Sequence, residues 1–115
     1  MRLPLIALGL TSMLVLGACS AQVSTAHFCR DVNADSVKFA ALQDQPTPAL
    51  VKGAAQAMAR LAAEAPSQIR PAMKTEAAAY HAWAKTGSNA PLTQSTFSAA
   101  DDQLSAWLRL NCKGR

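Results

Sequence analysis

The sequence predicts an all-α protein, a small antiparallel four-helix bundle. Three observations carry that expectation. Alanine is the commonest residue, while the strand formers Val, Ile, Tyr, Phe and Trp are scarce, and such a composition favours helix over sheet. Four segments repeat apolar residues at spacings of three and four, the period of a helix with one buried face. The turn signals "QDQPTP", Ala65-Pro66-Ser67 and "TGSNAP" separate these segments by short connections, and short connections make consecutive helices antiparallel neighbours.

The first helix is expected from about Thr25 to Leu42, with Phe28, Val32, Phe39 and Leu42 near one face and Cys29 beside it. Asp35 and Ser36 fall where the apolar stripe should continue, which predicts a break or a re-cap there. The second helix starts at Thr47 and Pro48. A hydroxyl caps orphan amides, and a proline in the first turn loses nothing by lacking a donor. Its stripe is Leu50, Ala54, Met58, Leu61 and Ala65, which makes it the clearest amphipathic element of the chain. Ala65-Pro66-Ser67 ends that helix and starts the third, whose opening can slip to Arg70 because Pro71 lies in the first turn. Ile69, Met73, Ala77, Tyr80 and Ala84 form the third stripe with Trp83 on its shoulder, and Gly87 supplies the left-handed residue that closes many helices. The last helix begins between Thr93 and Ser98, where Ser98 and Asp101 suggest a weak capping box. It continues through Ala100, Leu104, Trp107 and Leu108 to Cys112.

Alanines on facing stripes allow close axial approach, and Phe28, Phe39, Tyr80, Trp83, Phe97 and Trp107 supply the bulk between layers. No period of 20 to 50 residues repeats, which excludes a solenoid.

The chain opens Met1-Arg2 and then runs uncharged from Leu3 to Ala18. One cation before such a segment is the pattern of an export signal, and the segment falls short of the roughly 20 apolar residues that span a bilayer. Leu16-Gly17-Ala18-Cys19 resembles a bacterial lipobox, in which a dedicated peptidase cuts before the cysteine. The resemblance implies that residues 1–18 are a cleaved lipoprotein signal and that Cys19 carries lipid. An ordinary secretory cut after Ala21 would discard Cys19 instead. A cysteine directly behind Leu-Gly-Ala at the end of the apolar run favours the lipobox. One acyl chain holds a protein to a bilayer only marginally, whereas two or more give lasting attachment. Residues 19–26 then form the lipidated cysteine and a small, polar tether, and residues 27–115 form one helical domain.

With Cys19 assigned to lipid, Cys29 and Cys112 remain. Two thiols exported to an oxidising space usually pair, and this bridge would tie the beginning of the domain to its end. The alternative is a free thiol and a buried one. An "FC" pair soon after the lipobox, the run "LAAEAPSQIRPAM" and the ending "LSAWLRLNC" together resemble small actinobacterial lipoproteins. That resemblance implies a helical domain with its terminal cysteines bridged, held on the outer face of the cytoplasmic membrane. It implies no activity.

From Cys19 onward, ten Lys and Arg face seven Asp and Glu. The basic residues are scattered singly, so they read as a solvated surface near an anionic bilayer. A nucleic-acid partner, which asks for a concentrated patch with interleaved aromatics, is not expected. His27 and His81, the only histidines, lack a second ligand at metal spacing, so neither a metal nor another cofactor is expected. Tyr80-His81 with Met73 two turns earlier is core packing rather than a haem pocket. There is no Gly-x-Ser-x-Gly elbow, no phosphate-binding glycine loop and no Ser or Cys beside a base. Asp101-Asp102 complements a helix dipole rather than forming an acid and base pair. An enzyme is therefore not expected.

The function these features favour is a non-catalytic envelope lipoprotein, attached to the membrane through Cys19 and presenting a helical surface to an envelope protein partner. The alternative is a carrier that opens to hold a small apolar ligand between Met58, Met73, Tyr80 and Trp83.

Overall fold

The computed structural model describes residues 23–112. The lipobox, Cys19 and the expected signal lie outside them. The order is α1 (Thr25–Asp44), α2 (Pro48–Glu64), α3 (Arg70–Thr86), a short 3-10 turn (Ala90–Thr93) and α4 (Ser95–Asn111). Consecutive helices pack against each other, α2 on α3 most extensively, and α1 meets α4 to close the four-helix bundle. None of the helices described is long and apolar enough to cross a membrane.

Each helix begins and ends for a local reason. The Ser24 hydroxyl accepts from the His27 amide at 3.1 Å, so α1 starts at Thr25. That is where the first helix was expected, and its first turn takes in Thr25 and Ala26, the last two residues of the expected tether. Thr47 caps α2 by accepting from the Leu50 amide at 3.3 Å, with Pro48 as the first helical residue. The third helix starts at Arg70 and has no side-chain cap, because Ser67 to Ile69 form a separate turn. Gly87, at φ 80°, closes α3 and donates its amide to the Trp83 carbonyl. No capping box forms in α4: Gln94 is the N-cap, which leaves Ser98 already inside the helix.

The main core gathers Phe28 from α1, Met58, Leu61 and Ala62 from α2, Met73 from α3 and Leu104 from α4, with Ala65 and Ile69 from the turn between α2 and α3. A second cluster of Leu42, Val51 and Ala54 packs against Phe39, Tyr80 and Trp83. These contacts set the true stripes. In α2 the buried face runs Val51, Ala54, Met58, Leu61 and Ala65, and Leu50 is turned outward, 38% exposed. Spacings of three, four, three and four keep a face aligned better than the expected four, four, three and four. In α3 the inward row takes Glu76 and Trp83 where Ala77 and Ala84 were expected. Ala84 is exposed, while Ala77 stays half-buried against the core.

The expected break at Asp35 and Ser36 is absent. Here α1 is continuous over 20 residues, and Asp35 occupies the core-facing position, only 6% exposed. Its carboxylate is paired, which is what allows a charge there. Arg60 of α2 donates to one oxygen at 2.9 Å, and Lys38, one turn on, lies 3.2 Å from the other. The polar residue that suggested a break is an inter-helix tie.

Cys29 and Cys112 form a disulfide, with Cα atoms 5.5 Å apart. It joins the first turns of α1 to the end of α4, next to the edge-to-face contact of Phe28 and Trp107 at 5.9 Å.

Candidate functional site

The polar groups converge where α1 starts, α2 ends and α3 starts. Residues 27 and 31 are one helical turn apart, so their side chains meet on α1: His27 Nε2 lies 3.1 Å from Asp31 Oδ2. Arg30 approaches the other ring nitrogen, Nδ1, at 3.3 Å. The last residue of α2, Glu64, brings a second carboxylate to this pair. Ligand atoms of His27, Asp31 and Glu64 all lie within 4.8 Å of one another. Burial, then the hydrogen bond and the charge of Asp31, push the Glu64 carboxyl up to about 7. Asp31 moves the opposite way, because the hydrogen bond with Glu64 favours its ionised form. A proton shared between the two carboxyls fits both directions. One Glu64 oxygen, Oε1, is shielded from solvent and has no hydrogen-bond partner.

Beside this cluster opens a cleft of about 440 Å³ lined by Val23, Arg60, Ala62, Ala63, Glu64, Arg70 and Lys74. Three of those seven are cations. Arg70 is held in place by donating from Nε and Nη2 to the Ala65 carbonyl, at 3.1 and 2.7 Å, so it also ties off the end of α2. The positive end of the α3 dipole points to the same place. At the other end of the α2 and α3 pair, a second cleft of about 530 Å³ is lined by Pro48, Lys52, Ala55, Gln56, Ala59, His81, Ala84 and Lys85.

Of the positions expected to hold an apolar ligand, Met58, Met73 and Tyr80 meet in the main core, and Trp83 packs against the second cluster beside Tyr80. Met58 and Met73 are 6% and 1% exposed, packed in the main core with Tyr80 against them. Tyr80 is ringed by Phe39, Trp83 and Phe97 at 5.6 to 6.1 Å between centroids. Trp83 reaches the edge of a small cleft of about 80 Å³ with Pro46, Pro48, Val51, Ala84 and Gly87. The disulfide cysteines are a covalent clasp and offer no thiol chemistry.

No known protein family, curated protein or solved structure matches this chain.

Sequence reasoning missed two acidic residues. Glu76 of α3 is 2% exposed, and its Oε2 has no hydrogen-bond partner. Burial first, then Asp101 of α4, pushes its carboxyl up to about 8. Tyr80, one turn away, is raised to about 12, mainly by burial. The place of Glu76, three residues after Met73 and four before Tyr80, was a readable signal of the core face. Glu64 carried no such signal, since only the folded α1 and α2 bring it to His27 and Asp31.

Proposed function

We propose that the protein is a lipid-anchored envelope protein: its signal is removed before Cys19, Cys19 carries the lipid, and the bundle presents a non-catalytic helical surface to a protein partner. The observation that supports this most is the disulfide between Cys29 and Cys112. Such bridges persist in oxidising spaces outside the cytoplasm, so export and the lipobox-like Leu16 to Cys19 agree. The bundle leaves Val37 of α1 and Leu110 of α4 exposed, at 68% and 71%. Among the described residues the polar clusters pair acids with bases or with each other.

The test is in intact cells. Crosslinking followed by pull-down of the wild-type protein should recover the same partner reproducibly from the membrane fraction. Cys19→Ala should lose both the lipid and that partner. Full recovery of the partner by a soluble, unlipidated form would count against a role that depends on anchoring.

A further inference from the structure

We infer that the cleft of Arg60, Arg70 and Lys74 receives the phosphate of an anionic lipid headgroup, so that the bundle stands on the bilayer with this end down. The inference rests on the proposed anchor at Cys19 for its geometry and adds an orientation and a ligand to it. Three observations carry it.

The first is position. Val23 lines this cleft, and it follows Cys19 by only four residues, a span of at most ~14 Å even when fully extended. A lipid on Cys19 therefore holds the cleft within reach of the headgroup layer. The second is charge. Arg60, Arg70 and Lys74 all line the opening, and α3 adds its positive end. Arg60 is partly satisfied by Asp35 at 2.9 Å, and Arg70 is oriented by the Ala65 carbonyl, which leaves Lys74 as a free point charge among the described contacts. The third is contrast. The cleft with Lys52 and Lys85 opens toward the other end of the α2 and α3 pair, with Lys52 about 12 Å along α2 from Arg60 and about 18 Å from Glu64, beyond one Debye length at physiological salt from either. Two clefts of similar size and basic character thus sit at different heights above the membrane, and only one is in reach.

Glu64 gives the site a pH dependence. The groups around it are His27, Arg30, Asp31 and Asp35 from α1, Arg60 from α2, and Arg70 and Lys74 from α3. Below about pH 7 its carboxyl is protonated and the cleft keeps its full positive charge. Above that value one negative charge appears beside the cations, and anion binding weakens.

The experiment uses the chain from residue 19 with Cys19→Ser, which contains every element described and carries no lipid. Co-sedimentation is measured with vesicles of phosphatidylcholine alone and with phosphatidylglycerol added, and inorganic phosphate is titrated separately. The protein should bind only the phosphatidylglycerol vesicles, more tightly at pH 6 than at pH 8. Lys74→Gln should weaken this about fivefold, the worth of one basic residue near an anionic surface. Lys52→Gln removes the same charge and should change it by less than about twofold. Glu64→Gln should hold binding at its low-pH level throughout. Equal losses for Lys74→Gln and Lys52→Gln would reduce the effect to net charge and overturn the site. Binding of inorganic phosphate without vesicle binding would overturn lipid as its source. Because the chain tested is unlipidated, a negative result leaves the anchor at Cys19 standing, and an unmodified Cys19 leaves this binding to be judged alone.

Discussion

Glu76 sets the clearest energetic prediction. In the fold its carboxyl rises to about 8, from 4.5 when free, because ionising it would place a charge between α3 and α4 opposite Asp101. Between those values the folded state holds one proton more than the unfolded chain. Stability then falls as pH rises, by about 1.4 kcal/mol per unit. Its contribution is complete below pH 4.5 and is lost as pH rises through about 8, a total of roughly 3 to 5 kcal/mol. For a domain of this size that is a fall in Tm of roughly 4 to 8 °C per kcal/mol. The assay is urea denaturation, with the disulfide intact, at steps from pH 5 to 8.5 for the wild type and Glu76→Gln. Glu64 adds a slope common to both, so the difference between the curves isolates Glu76. The variant should be no more stable than the wild type at pH 5 and clearly more stable above pH 8. Parallel curves would mean that the Glu76 carboxyl ionises in the fold as it does in the unfolded chain, with a water or counter-charge beside it.

Other consequences are simpler to state. Replacing both Cys29 and Cys112 by Ala removes a bridge spanning 83 positions and should cost about 2 to 5 kcal/mol in urea denaturation, with reduction of the wild type giving a similar loss. Arg60→Ala leaves Asp35 buried with Lys38 alone and should cost about 1 to 2 kcal/mol after allowance for the exposed guanidinium. Asp35→Asn in the same background should recover part of that loss, which a double-mutant cycle measures. Gly87→Ala forces a side chain into the left-handed region at φ 80° and should cost about 1 kcal/mol, read as a shift in the denaturation midpoint at constant slope.

The helices were legible in the sequence because their ends are local chemistry. Thr47-Pro48 and Gly87 act where they stand, and no distant contact changes what they do. The faces were less legible. Leu50 seemed to belong to the stripe because it is large and apolar, yet Val51 is the residue that α2 turns inward. Asp35 was obscured for the opposite reason: a charge at a core spacing suggests a break until its partner is known, and that partner, Arg60, comes from another helix. Glu76 was passed over because the stripe was assigned to Ala77 beside it. The same holds for the site. His27 and Asp31 share a visible spacing of four, but Glu64 joins them only through the packing of α2 on α1. Arg60, Arg70 and Lys74 are scattered singly along the chain, and the turn between α2 and α3 gathers them. Cys29 and Cys112 were legible as a pair because few thiols leave few choices.

The proposed anchored role depends on Cys19 ending the signal and carrying the lipid. Mass spectrometry of the amino-terminal peptide from protein purified out of its own membrane tests it most directly. The expected chain starts at Cys19, lacks residues 1–18 and bears a thioether-linked diacylglycerol on that sulfur. A chain starting downstream of residue 19, or starting there with a free thiol, would contradict it.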